Sequence, residues 1–122
     1  MDAISYLKQA REIEIKIDQK RQELEAMKRD AIGSSGRKME KLVAGYVDLE
    51  KRLEKDIYDL HKKRVAVIDM IHKIDDSLCL VVLHAKWIDG QSLEQIAAET
   101  DYSFPYIRRK YWKGMRKIKD FL

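Results

Sequence analysis

Residues 92–113 read SLEQIAAETDYSFPYIRRKYWK, and this stretch decides how the rest of the chain is read. Ser92 stands before a short apolar-periodic run with Gln95 three residues on, the spacing of a capping box at a helix start. Ser103 repeats the signal, with Pro105 in the following first turn, where its missing N–H costs nothing. Tyr102 and Ile107 hold the N′ and N4 positions of that second cap, the spacing of a hydrophobic staple. Two capped helices separated only by Thr100-Asp101-Tyr102 predict a helix-turn-helix, its second helix in the recognition position.

The charge distribution singles out the same segment. The 122 residues carry a net charge of +4. Between Ser103 and Lys119 lie seven basic residues and no acid, leaving 18 basic against 21 acidic residues elsewhere. Polyanions respond to local potential rather than to totals, so this segment points to nucleic acid. An inward stripe of Ile107, Tyr111, Met115, Ile118 and Leu122 would leave Pro105, Tyr106, Arg108, Arg109, Lys110 and Lys113 facing out. In a major groove, Arg108, Arg109, Lys110 and Lys113 can reach guanine O6 and N7, and Tyr106 a thymine methyl or a phosphate. Arg116, Lys117 and Lys119 are expected on backbone phosphates, with Ser103 at the helix mouth completing the DNA-contact set. The bland alternative is a basic, solvated helix face that binds nothing.

Upstream of this segment, LCLVVLHAKW (78–87) is apolar enough to be a fully buried helix, capped by Asp76 or Ser77 and ended by Asp89-Gly90. The C-terminal part therefore reads as three helices, about 78–88, 92–99 and 103–121.

The first 75 residues differ in texture. Ala3, Tyr6, Ala10, Ile13, Ile17, Leu24, Met27 and Ala31 recur at heptad spacing, with Lys20 the one polar residue in the seam. Gly33 can close that helix, and the serines of GSSGRK (33–38) can start a turn. A second stripe follows at Leu42, Tyr46, Leu49, Leu53, Ile57, Leu60, Arg64, Val67, Ile71 and Ile74, with a stutter near Ile57. Two long helices joined by a short break at 32–38 predict an antiparallel coiled-coil hairpin. Val43, Val47, Val65, Ile68 and Met70 widen its second stripe beyond one seam, which points to a homodimer or higher homo-oligomer. The alternative is a monomeric hairpin folded against its own C-terminal part.

The expected architecture is thus all-α: a helical hairpin over 1–75 for oligomerisation, then a three-helix DNA-binding domain over 76–122. The single cysteine, Cys79, lies in the apolar run and suits a reducing, cytoplasmic location. No secretory signal pattern and no membrane-length apolar run is found. His61, His72 and His84 lack metal-ligand spacing, and Asp75-Asp76 suits helix capping better than acid–base work. Gly33 to Gly36 lacks the lysine and strand of a phosphate loop. No catalytic constellation, metal or cofactor is expected.

The stretch LHAKWIDGQSLEQIAAETDYSFPYIRRKYWKGMRKIKDFL resembles the helix-turn-helix of sigma-70 region 4. The likeness rests on Lys86-Trp87, Asp89-Gly90, Ser92 to Ala97, Tyr102-Ser103 and the basic helix from Ile107, about the last third of the chain. With the long hairpin before it, the layout is similar to small phage- and prophage-encoded proteins of the late-transcription-regulator type. The resemblance implies a transcription factor bound to double-stranded DNA, with RNA polymerase a further candidate partner. Three residues depart from the pattern: Gln95 for Glu, Asp101 for Gly, and Gly114 for Ala, the last expected to weaken the recognition helix by up to about 1 kcal/mol. Two rival functions share these features. One is a phage DNA-packaging subunit of the small-terminase kind, and the other is a polymerase-docking module that binds no DNA.

Overall fold

The computed structural model describes residues 2–33 and 36–122, with the side chains of residues 31, 37–39 and 42 outside the description. The turn expected at the serines of GSSGRK lies outside the described residues. Five helices follow one another: α1 (Ala3–Ile32), α2 (Gly36–His72), α3 (Ser77–Trp87), α4 (Leu93–Thr100) and α5 (Phe104–Phe121), and no strand is present among the described residues. The fold is all-α, as the periodicities require.

Helices α1 and α2 pair antiparallel. The Tyr6 hydroxyl donates to the Ala66 carbonyl, Lys20 meets Asp56 at 3.3 Å, and the Met27 methyl lies 3.1 Å from where a Cβ on Gly45 would stand. The residue numbers of these pairs add to between 72 and 76, which is the mark of an antiparallel register.

Contacts divide the chain into two compact units, 1–12 with 63–122, and 13–62. In the second unit only Ile13, Ile17 and Leu53 are fully buried among the described residues, while Leu24, Met27, Tyr46, Leu49, Ile57 and Leu60 are half-buried. A two-helix seam leaves every stripe residue one open side, so this outcome follows from geometry.

The first unit holds the real core. Leu7, Ala10, Val67, Ile71 and Ile74 from the base of the hairpin join Cys79, Val82, Leu83, Trp87, Ile88, Ile96, Ala97, Ile107, Tyr111, Met115 and Ile118 in one buried cluster. The composition change at residue 76 is therefore a junction between helices, and the compact unit runs past it into α1 and α2. Leu7 is wholly buried although it lies beside the α1 heptad stripe rather than on it. A helix covered by more than one neighbour buries a wider face than a two-helix seam. Ile68 and Met70 pack against this same cluster, whereas Val43, Val47 and Val65 remain exposed.

Two expectations about burial are corrected. Helix α3 is not buried all round: Val81 is 46% exposed, because helices pack on α3 from one side only there. Leu122 is half exposed rather than inward, since α5 ends at Phe121 and the last residue lies past the final turn.

The caps are where the sequence puts them. Asp76 starts α3, its carboxylate accepting from the amides of Leu78 and Cys79 at 3.1 Å each. Ser92 and Gln95 complete the reciprocal box at α4, with bonds of 3.1 and 2.8 Å. Ser103 caps α5, accepting from the Tyr106 amide at 3.3 Å. Between α4 and α5, Asp101 adopts φ 60°, the single non-glycine residue with positive φ among the described residues. A short polar side chain tolerates that region, which explains how Asp serves where glycine is usual.

Candidate nucleic-acid interface

Helix α5 buries Ile107, Tyr111, Gly114, Met115 and Ile118. At 100° per residue, this inward stripe sorts the remaining side chains into three rows. Pro105, Arg109, Trp112, Arg116 and, in the last turn, Asp120 form the outermost row. Tyr106, Lys110, Lys113 and Lys117 run along one flank, and Arg108 and Lys119 along the other.

The lysine flank is not free. Lys110 and Lys113 hold the same oxygen of Asp76, at 3.1 and 3.0 Å, and Lys117 reaches Asp75 at 2.6 Å. Asp76 already caps α3, so one carboxylate both starts one helix and clamps another. Its pKa lies well below the usual carboxylate value, chiefly through the Cys79 amide bond and then through Lys113 and Lys110. Lys117 holds down the Asp75 carboxyl, while Asp76 and Asp75 raise Lys110 and Lys117 in turn. Asp75 and Asp76 thus offset two of the seven positive charges, and they do so on one flank only.

Arg108, Arg109, Arg116 and Lys119 have no carboxylate partner among the described residues. All four are exposed. The Arg109 guanidinium lies 5.7 Å from the centre of the Tyr106 ring, near enough for a cation–π contact that orients it. Tyr106 in turn packs against Tyr102, ring centres 5.1 Å apart. Tyr102 thus pairs with Tyr106 and stays half exposed, while Ile107, its expected staple partner, is wholly buried. Ser103 and Pro105 stand exposed at the helix mouth, the former spending its side-chain oxygen on the cap.

An open, shallow depression along this face is lined by Arg108, Arg109 and Arg116 together with two aromatic residues absent from the sequence-based set, Phe104 and Trp112. Both are more than one-third exposed. Trp112 has a signal in its phase, on the outward side of a helix whose inward positions are filled by Ile107, Tyr111 and Met115. Phe104 shares the inward phase of Tyr111 and is exposed as the first residue of the helix, which its phase does not signal.

Gly114 behaves differently from its reading as a weak point in the helix. A Cβ placed there would stand 3.0 Å from Cγ and Cδ1 of Leu83 and 3.5 Å from Cβ of Cys79. The missing side chain lets α5 approach α3 closely, a packing role that helix propensity does not register.

Among the described residues no group of three His, Cys, Asp or Glu side chains is placed to hold a metal ion, and no helix is long and apolar enough to cross a membrane. Helix α5 offers a charged, aromatic-lined open face. Such a face suits a groove in a large anion better than it suits a small ligand that must be enclosed. No protein-family model, no curated protein and no solved structure matches the chain, so the reading of this face rests on its own residues.

Proposed function

We propose that this protein is a sequence-specific DNA-binding transcriptional regulator of the phage or prophage type, acting in the cytoplasm as a homo-oligomer. One observation carries the reading. The basic residues without carboxylate partners, Arg109 and Arg116 on the outermost row and Arg108 and Lys119 on the flank away from Asp75 and Asp76, lie on the second helix of a helix-turn-helix. The lysines on the inner flank are spent on positioning that helix.

The N-terminal end of α5 enters the major groove. Arg108 and Arg109 read base edges there, and Arg116 and Lys119 hold phosphates further along. The lysines at 110, 113 and 117 keep α5 seated on the start of α3 and contribute to affinity only when their carboxylates release them. Two copies held together present two such helices, so the target would carry half-sites about 34 Å apart or a multiple of that. Tethering raises the effective concentration of the second site and makes two weak contacts strong.

Selection of bound duplexes from a random pool tests this directly. The expected result is an enriched two-part site, with a salt slope of about −2 per copy from the two cations on phosphates. Recovery of unselected sequence with no enrichment overturns base reading. Co-purification with RNA polymerase in the absence of any duplex binding favours the docking module instead.

A further inference from the structure

The outermost row of α5 carries one large apolar side chain between its arginines. Trp112 stands one turn past Arg109 and one turn before Arg116, and all three line the same open depression. The Trp112 ring lies 5.1 Å from the Tyr111 ring, at 70° to it, and Tyr111 is buried in the core. That contact orients the indole, yet 46% of the residue stays in water. The same ring borders a second, apolar groove with Ile4, Met115 and Leu122, whereas Arg109 lines the first depression and not this groove.

Tyr106, the aromatic residue expected on a thymine methyl, is engaged elsewhere. Its ring meets Tyr102 at 5.1 Å, with Lys110 at 5.6 Å and Arg109 at 5.7 Å from its centre. Trp112 is the aromatic residue on the row that faces the bases. Every major-groove edge presents hydrogen-bonding atoms, and among the four bases only thymine adds an apolar group there, the methyl on C5. Covering a polar edge with the indole face would strip its water without returning a hydrogen bond. Covering the methyl takes apolar surface of both partners out of water.

We propose that Trp112 is a specificity-determining residue whose indole packs on the C5 methyl of a thymine in the bound duplex. This rests on the DNA reading above and deepens it by naming a base that the arginines do not read. Neither Arg109 nor Arg116 has a carboxylate partner among the described residues, so the positive potential on both sides of Trp112 holds the duplex against the ring. Three residues of helix advance about 4.5 Å, against about 3.4 Å per base pair. The thymine therefore lies one or two pairs from the guanine read by Arg109.

Uracil scanning tests the contact. In a duplex selected from the random pool, uracil replaces thymine at one position at a time. The exchange removes the methyl and keeps O4, so a hydrogen bond from the indole N–H is left intact. The full-length parent is expected to bind at least about threefold more weakly at one such position, the effect of uncovering one methyl group. Trp112→Ala, checked by circular dichroism for intact helices, is expected to weaken binding to the thymine duplex by at least that factor. It should also make thymine and uracil equivalent at that position. A parent indifferent to uracil everywhere, a selected site with no thymine within two pairs of that guanine, or an Ala variant that keeps the parent's thymine preference overturns the contact. Failure to select any duplex overturns the DNA reading and the contact together, whereas a selected duplex indifferent to uracil overturns the contact alone.

Discussion

The Lys113 ammonium of α5 lies 3.0 Å from the Asp76 carboxylate, and that same carboxylate accepts the amides that begin α3. A helix start and a helix–helix clamp are thereby merged in one side chain. The clamp sets which basic residues of α5 remain available: it draws one flank inward and leaves the arginines of the other side in water.

Replacing Asp76 separates its two roles. Asp76→Asn keeps an oxygen that can cap α3 and loses the charge that holds Lys110 and Lys113. Asp76→Ala loses both. Urea unfolding is expected to rank the parent above Asp76→Asn and Asp76→Asn above Asp76→Ala. In the Asn variant the freed lysines should also steepen the salt dependence of duplex binding by about one to two phosphate equivalents. An unchanged slope would mean that the lysines do not compete for DNA.

The pH profile follows from the same contacts. Asp75 and Asp76 have folded pKa values below 3.8, so their contribution is complete above 3.8 and is lost as pH falls through the folded values. Lys110 and Lys117 are raised above 10.5, so their contribution is complete below 10.5 and is lost as pH rises through the folded values. Tyr111, pushed up from 10.0 by burial, adds to the alkaline loss. Chemical denaturation across pH should give a plateau between these limits. Asp76→Asn should flatten the acid limb.

Gly114→Ala is expected to destabilise. A gain of up to about 1 kcal/mol in helix propensity is opposed by an overpacking cost of about 1–3 kcal/mol against Leu83, which is wholly buried and has little room to move. The net loss should be about 1 kcal/mol in urea titration, larger for Gly114→Val. A stabilised Ala variant would show that Leu83 can shift.

On DNA, Arg109→Ala is expected to cost about 1–3 kcal/mol at a selected site and to relax preference at one base position. Lys119→Ala should reduce the salt slope by about one with preference unchanged. Binding titrations on selected and random duplexes at several salt concentrations read both. Equal loss on the two duplexes for Arg109→Ala would remove it from base reading.

The base of the hairpin should be inseparable from the C-terminal helices. A fragment spanning 76–122 lacks Leu7, Ala10, Val67, Ile71 and Ile74, all members of the core cluster. It is expected to show weak helicity and no cooperative melt. In the full chain Leu7→Ala should cost about 2–5 kcal/mol, as a wholly buried leucine does. A fragment that melts cooperatively would place the boundary at residue 76 after all.

Local rules determine most of the helices and their ends. Caps at Asp76, Ser92 and Ser103 are written in side chains that bond to amides two or three residues away, and heptads at Ile13, Ile17 and Leu53 depend only on the pitch of a helix. Each of these signals is short-range, so it survives in a linear reading. The outward phase of Arg108, Arg109 and Arg116 is likewise a consequence of where Ile107, Tyr111 and Met115 fall.

Contacts between residues far apart in the chain had no such trace. Lys110 and Lys113 look as free as Arg109 until α5 is laid on α3 and Asp76, 34 and 37 residues earlier, comes within 3.1 Å. Leu7 sits beside the heptad stripe and is buried only because α1 meets more than one neighbour. Gly114 looks like a defect in a helix until Leu83 is found where its side chain would be. Charge, pattern and capping are properties of one helix at a time; which cations are spent and which glycine is needed depend on how helices approach one another.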